Sequence, residues 1–122
     1  MHILIAGQKS TLRHALRRLL HSRSSGDTVS TVSTKEKLFS QVEAQSPDLI
    51  LLDEDMATAL VEEVIKPIQL VDLCPNIIVL GVRTAKKEAY LDAGVMSFED
   101  KNDPPKSLLT AVEQSRSWSN DV

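Results

Sequence analysis

Apolar segments of strand length alternate five times along the chain with segments whose apolar residues recur at helical spacing. Strands that alternate with helices predict a parallel sheet covered by helices on both faces. The second apolar segment is the most polar of the five, because its valines alternate with hydroxyl residues, and we expect it at an edge of the sheet. The predicted strands are residues 2–6, 28–33, 49–52, 77–82 and 95–98.

Proline and glycine mark where the predicted helices start, break and stop. The third helical segment, residues 58–73, contains Pro67, which lacks a backbone donor and predicts a kink or a restart near Lys66. Gly94 closes the fourth helix, because glycine is favoured directly after a helix end. The five helices are predicted to start near residues 10, 34, 58, 85 and 105.

Three consecutive carboxylates, Asp53, Glu54 and Asp55, follow the third predicted strand. In an open parallel sheet the ligand crevice lies beyond the carboxyl ends of the strands, so Asp53 stands where binding or chemistry takes place. Side chains alternate along an extended chain, which points the neighbours of Asp53 away from it. We therefore expect Glu54 and Asp55 to be solvated loop charges.

The composition is that of one ordinary globular domain. The 122 residues are 42% hydrophobic and 25% charged, and the net charge is -3. No surplus of Lys and Arg is left to neutralise phosphates, and an aromatic content of 3% leaves few rings to stack on bases, which argues against nucleic-acid binding. The single cysteine, Cys74, has no partner for an internal disulfide and is expected to be a small buried hydrophobe.

The predicted organisation is a domain over residues 1–116 and a polar tail or linker over 117–122, with the last helix fraying from about Ser115. Trp118 lies in this tail, where it either anchors another chain or packs back onto its own domain. The apolar segments are too short for a membrane span, and no signal peptide is recognised. We therefore expect a cytoplasmic protein.

Several short sequences occur in an order that a known family shares. Asp53 is followed three positions later by Met56, and the segment from Pro47 to Asp53 is Pro-Asp-Leu-Ile-Leu-Leu-Asp. Lys101 follows the fifth predicted strand, in the segment Ala-Gly-Val-Met-Ser-Phe-Glu-Asp-Lys that starts at Ala93. In their order and spacing these features resemble the receiver domain of two-component response regulators, over nearly the whole chain.

The resemblance implies a fold and a set of residue roles. It implies a flavodoxin-like (βα)5 three-layer sandwich, a five-stranded parallel sheet in the order 2-1-3-4-5, with helices one and five on one face. Asp53 would be the phospho-acceptor, Lys101 would contact the phosphoryl group or pair with Asp53, and Phe98 would be the aromatic switch residue. Such domains are signalling modules rather than enzymes, and their partners are histidine kinases, phosphotransfer domains or other signalling proteins.

The magnesium and phosphoryl ligands depart from the family pattern. Gly7 and Gln8 replace two adjacent acidic residues that hold Mg²⁺ in the family, which leaves Asp53 and the backbone carbonyl of Asp55 as a weak site. We expect no resident cofactor beyond weak Mg²⁺. Gly81 replaces a Thr or Ser that binds the phosphoryl group and communicates with the switch residue.

Substitutes for the lost groups exist nearby in the sequence. Thr84 is the nearest hydroxyl, and Arg83 is a cation placed to offset phosphoryl charge. Side chains of Glu54 and Asp55 that lean inward would rebuild part of the metal site, which is the less favoured alternative.

Two functions remain open. In the first, the chain is a degenerate receiver that acts as a protein-interaction module, with weak or no phosphorylation at Asp53 and a structural ion pair to Lys101. In the second, Asp53 is a working acceptor that takes a phosphoryl group from a histidine kinase. The pair Gly7 and Gln8 favours the first. A small flavodoxin-like cofactor binder or enzyme finds little support, because no glycine-rich phosphate loop and no nucleophile with a base partner are evident.

Two surfaces are candidates for protein contacts. The face made by helix four, strand five and helix five is the family's usual dimerisation face and a candidate homodimer contact here. The first helix is basic within an acidic protein, and we favour a solvated face over a docking patch for it. Its basic residues are Arg13, His14, Arg17, Arg18, His21 and Arg23.

Overall fold

Five parallel strands form a single sheet in the order β2-β1-β3-β4-β5. The structure is a computed structural model that describes residues 1–23, 26–56, 61–82 and 86–117. The sheet confirms the predicted order and places the polar second strand at an edge. The strands are β1 (His2–Ala6), β2 (Thr28–Val32), β3 (Leu49–Asp53), β4 (Asn76–Gly81) and β5 (Ser97–Asp100).

Helices cover both faces of the sheet, as predicted. Buried side chains of the first and fifth helices pack on one face, and those of the second, third and fourth pack on the other. None of the described helices is long and apolar enough to cross a membrane. The helices are α1 (Ser10–His21), α2 (Lys35–Gln45), α3 (Val61–Gln69), α4 (Lys87–Asp92) and α5 (Pro105–Ser117).

Strand β3 is the centre of the core. Leu49 and Leu51 point to the face covered by α1 and α5, while Ile50 and Leu52 point to the opposite face, and none of the four is exposed to solvent. This burial on both faces is typical of a central parallel strand and explains its uninterrupted apolar sequence. The strand ends at Asp53, which lies buried at the edge of the core.

Strand β5 begins later than the sequence predicts. The prediction placed it over 95–98, but the strand covers Ser97–Asp100. Val95 instead donates its backbone N–H to the Tyr90 carbonyl at 3.3 Å and so completes the end of α4. Gly94 has a φ of +100°, which glycine adopts readily, and this turn delays the entry into the strand.

Two helices also differ from the prediction. Helix α3 ends at Gln69, short of the predicted end at residue 73, and runs through Pro67 without a restart, which was one of the two predicted outcomes. Residues 57–60 lie outside the described part of the chain. Ser115, predicted to begin a fraying end, is buried in α5. Arg116 in the next position donates two hydrogen bonds to the Asp27 carboxylate, at 2.9 and 2.5 Å, and these bonds lower the pKa of Asp27 to about 2.

Candidate functional site

Asp53 and Lys101 meet at the carboxyl edge of the sheet. The Lys101 ammonium donates to Asp53 Oδ1 at 2.7 Å, and the backbone N–H of Asp55 donates to the same oxygen at 3.1 Å. The Asp53 side chain is 1% exposed and the Lys101 side chain 32% exposed. The expected ion pair is therefore present, with the carboxylate inside the protein and the ammonium at its rim.

The second oxygen of Asp53 faces the end of β1. A Cβ atom added to Gly7 would lie 3.3 Å from Asp53 Cβ and 3.8 Å from Asp53 Oδ2, so the glycine backbone lies directly beside the carboxylate. Oδ2 is buried and accepts no hydrogen bond from the described residues. The sequence predicts that acidic side chains are missing at this point, and Gly7 indeed places only backbone there.

Glu54 is not the solvated loop charge that the sequence predicts. The strand ends at Asp53 and the chain turns into a 3-10 helix over Glu54–Met56, so the alternation of an extended strand no longer sets side-chain directions. The Glu54 carboxylate packs against Gly81 at the end of β4, and its Oε1 accepts the backbone N–H of Val82 at 3.1 Å.

Asp55 also leans into the site rather than into solvent. The backbone N–H of Gln8 donates to its carboxylate, while Oδ1 is buried and finds no hydrogen-bond partner among the described residues. Burial raises the pKa of Asp55, and the neighbouring charge of Asp53 raises it further. The 3-10 turn thus brings the Asp55 carboxylate to the end of β1. This inward position corresponds to the less favoured alternative of the sequence analysis, in which Glu54 and Asp55 lean inward.

Arg13 stabilises the loop after β1. Its Nη1 atom donates to the carbonyl oxygens of Gly7 at 2.7 Å and of Gln8 at 2.9 Å. Arg13 therefore does not belong to a merely solvated face. The remaining basic side chains of α1 and the residues after it are exposed, as the sequence predicts: His14, Arg17, Arg18, His21 and Arg23.

An aromatic pair lies beneath the site. Phe98 is 8% exposed and stacks on Tyr90, with ring centroids 5.8 Å apart. Tyr90 is fully buried, and its hydroxyl has no hydrogen-bond partner among the described residues. Burial raises the pKa of Tyr90 to about 12, and the charges of Glu54 and Asp53 add to this effect. Phe98, the predicted switch residue, therefore packs inward against Tyr90, whose hydroxyl is close enough to the acidic site for its charges to raise the pKa.

The raised pKa of Tyr90 predicts how stability depends on alkaline pH. Between pH 10 and 12 the unfolded chain releases the phenolic proton while the folded chain keeps it, so the unfolded state binds fewer protons. Stability should therefore fall as pH rises through this window. The chain has one tyrosine, so its near-ultraviolet tyrosinate absorbance should show a midpoint near pH 12 in the folded protein.

The matched control for this titration is Tyr90→Phe. The variant should lose the tyrosinate signal and the part of the alkaline destabilisation that depends on the phenol. A tyrosinate midpoint near pH 10 in the folded protein would contradict the burial of the hydroxyl.

Sequence reasoning and structure agree on some site residues and differ on others. Asp53, Lys101, Gly7 and Gly81 lie together at one edge of the sheet, where the sequence places them. Sequence reasoning missed the inward positions of Glu54 and Asp55 and the roles of Arg13 and Tyr90. Three residues named from the sequence lie outside the described part of the chain: Arg83, Thr84 and Trp118.

Known proteins share this architecture. A family model described as "Response regulator receiver domain" matches residues 3–113. No curated protein matches the chain by sequence.

Solved structures of low sequence identity have the same fold. A putative response regulator from Chloroflexus aurantiacus is 20% identical, with a TM-score of 0.83 over 95% of this chain and 97% of that chain. The signal receiver domain of a DNA-binding response regulator from Colwellia psychrerythraea is 15% identical, with a TM-score of 0.85 over 96% and 98% of the two chains. A chemotaxis response regulator of Vibrio cholerae is 18% identical, with a TM-score of 0.80 over 93% and 97%.

Proposed function

Since the chain belongs to the family of response regulator receiver domains, we propose that it is a degenerate receiver of two-component signalling. In this proposal the domain acts as a protein-interaction module, and Asp53 accepts a phosphoryl group weakly or not at all. Its output then depends on contacts with partners rather than on aspartyl phosphate.

One observation carries the proposal: Gly7 at the end of β1 places only backbone, and no carboxylate of its own, beside the buried oxygen of Asp53. Phosphoryl transfer to a carboxylate brings negative charge onto oxygens that cations must offset. Gly7 and Gln8 supply no carboxylate to hold a metal there, and Lys101 is the cation that contacts Asp53. Lys101 alone offsets less of the charge than a divalent ion and an ammonium would together.

We expect no resident metal. Mg²⁺ needs near-octahedral oxygen ligands and is usually held by one or two carboxylates with several retained waters. The buried, unpartnered oxygens Asp53 Oδ2 and Asp55 Oδ1 fit weak binding of this kind. Within residues 1–23, 26–56, 61–82 and 86–117, however, no group of three or more His, Cys, Asp or Glu side chains is placed to hold an ion.

The partners follow from the family. We propose that the domain binds a histidine kinase, a phosphotransfer domain or another signalling protein in the cytoplasm, and that it does not itself bind nucleic acid. The face formed by α4, β5 and α5 is a candidate contact for a homodimer. For the exposed basic side chains of α1 we favour a solvated face over a docking patch for a partner.

Mass spectrometry of the intact chain tests the proposal. After incubation with acetyl phosphate and millimolar Mg²⁺, the protein should show little or no gain of a phosphoryl group, because the metal that offsets charge during transfer is poorly held. The control is Asp53→Asn, which, like the parent protein, should show no added phosphoryl group on its own intact mass. A stoichiometric gain of one phosphoryl group that Asp53→Asn abolishes would establish the alternative function, a working phospho-acceptor.

A further inference from the structure

The end of β4 accommodates a carboxylate from the chain itself. The Glu54 side chain is half-buried there, and its Oε1 accepts the Val82 backbone N–H at 3.1 Å. A Cβ atom added to Gly81 would lie 2.5 Å from Glu54 Cδ and 2.6 Å from Oε1, closer than real atoms approach. This space therefore holds either the Glu54 carboxylate or a side chain at position 81, but not both.

Each of the three consecutive carboxylates has its own hydrogen-bond donor. Asp53 accepts from the Lys101 ammonium, Glu54 from the Val82 N–H, and Asp55 from the Gln8 N–H. The donors lie on three different loops, so the 3-10 turn spreads the three charges apart. The backbone donor that follows β4, next to Asp53 along the sheet edge, is thus already occupied by an anion.

We propose that the Glu54 carboxylate is the built-in occupant of the end of β4, the place where the family has the Thr or Ser that binds the phosphoryl group. An external oxyanion of the phosphate class binds the Val82 N–H only after Glu54 has left. This inference rests on the proposed function, since it supplies a second reason why the domain responds weakly to phosphoryl donors. An intramolecular ligand acts at an effective concentration of the order of millimolar or higher, and its negative charge repels a second anion.

Phosphate titration followed by amide NMR tests the inference. Inorganic phosphate is added at constant ionic strength to the ¹⁵N-labelled full chain and to Glu54→Ala. The Gly81 and Val82 amide resonances of Glu54→Ala should shift saturably, with an apparent Kd at least about tenfold lower than in the parent protein. The charge-matched control, Glu43→Ala on the exposed side of α2, should respond like the parent.

Two results of the titration would overturn the inference. One is an equal response of Val82 in the parent protein and in Glu54→Ala, which would mean that Glu54 does not occupy the donor. The other is a folded Glu54→Ala whose Val82 amide shows no saturable shift, which would mean that the end of β4 is not an oxyanion site.

Thermal unfolding gives a second test that does not depend on a ligand. Gly81→Ala should lower the melting temperature of the parent protein by no more than about 3 °C, because the added methyl group displaces only the flexible end of Glu54 and removes its hydrogen bond from the Val82 N–H. The same change in a Glu54→Ala background should cost less than half as much, since the space is then open. Equal losses in both backgrounds would show that Glu54 and Gly81 are not coupled.

The outcomes are separable from those that test the proposed function. Phosphate binding forms no covalent bond, so the NMR titration is independent of transfer to Asp53. Phosphorylation of the parent protein by acetyl phosphate would overturn the degenerate-receiver proposal. An unresponsive Val82 would overturn only the role of Glu54 and would leave the missing acidic pair as the reason for weak phosphorylation.

Discussion

Lys101→Met is expected to lower the free energy of unfolding by about 2–3 kcal/mol, because it leaves the Asp53 carboxylate charged and buried without its ammonium. The full cost of breaking a buried pair is about 3–5 kcal/mol, but a third of the Lys101 side chain is exposed, so water can partly replace it. Urea unfolding followed by circular dichroism measures the loss.

Removing the carboxylate instead of the ammonium should cost much less stability. In Asp53→Asn the Lys101 ammonium swings into solvent, and the asparagine oxygen still accepts from the Asp55 N–H, so we expect a loss below about 1 kcal/mol. The double variant should recover most of the stability that Lys101→Met loses, since neither charge remains. Lys106→Met on α5 is the matched control. A Lys101→Met variant as stable as this control would show that Asp53 is solvated well enough to need no partner.

Leu51→Ala should destabilise the protein by about 2–5 kcal/mol, the range for truncating a fully buried leucine. Leu51 lies on the central strand between β1 and β4, so its neighbours belong to the rigid sheet and collapse poorly into a cavity. Since β3 delivers Asp53 to the site, the same variant reports how firmly the core holds the sheet edge. Chemical denaturation gives the free energy, and the ion pair can be followed separately through the Lys101 resonances.

A leucine at the surface provides the comparison for Leu51. Leu73 is 70% exposed, and Leu73→Ala should change stability by less than about 0.5 kcal/mol. Similar losses for the two variants would mean that the core around β3 is loosely packed, contrary to the complete burial of its residues.

The sequence predicts the strands well where burial dictates their pattern. The uninterrupted apolar segment of β3 and the hydroxyl residues of β2 correspond to a central and an edge strand, as expected. The prediction fails at β5, because Val95 is buried in the core while its backbone N–H bonds to the end of α4, and strand pairing starts only at Ser97. Apolar character marks burial, but it does not tell which element provides it.

The sequence predicts those site residues whose position follows directly from a strand end. Asp53 is the last residue of β3 and Lys101 comes directly after β5, and parallel strands bring those ends to one edge. Glu54 escapes such reasoning because a 3-10 turn after β3 replaces the alternation that would point it outward. Arg13 escapes it because a long side chain reaches back across a loop to carbonyl groups.

The two edge strands determine how readily this protein aggregates at high concentration. An unpaired strand edge can recruit another chain and start aggregation, and proteins counter this with short, polar or charged edges. Strand β5 has four residues, among them Glu99 and Asp100, so two such edges would bring like charges together. Strand β2 presents Thr28, Ser30 and Thr31. Self-association through the face of α4, β5 and α5 would then have to rely on helix side chains. Growth into a fibre by strand pairing is disfavoured at both edge strands, β2 and β5.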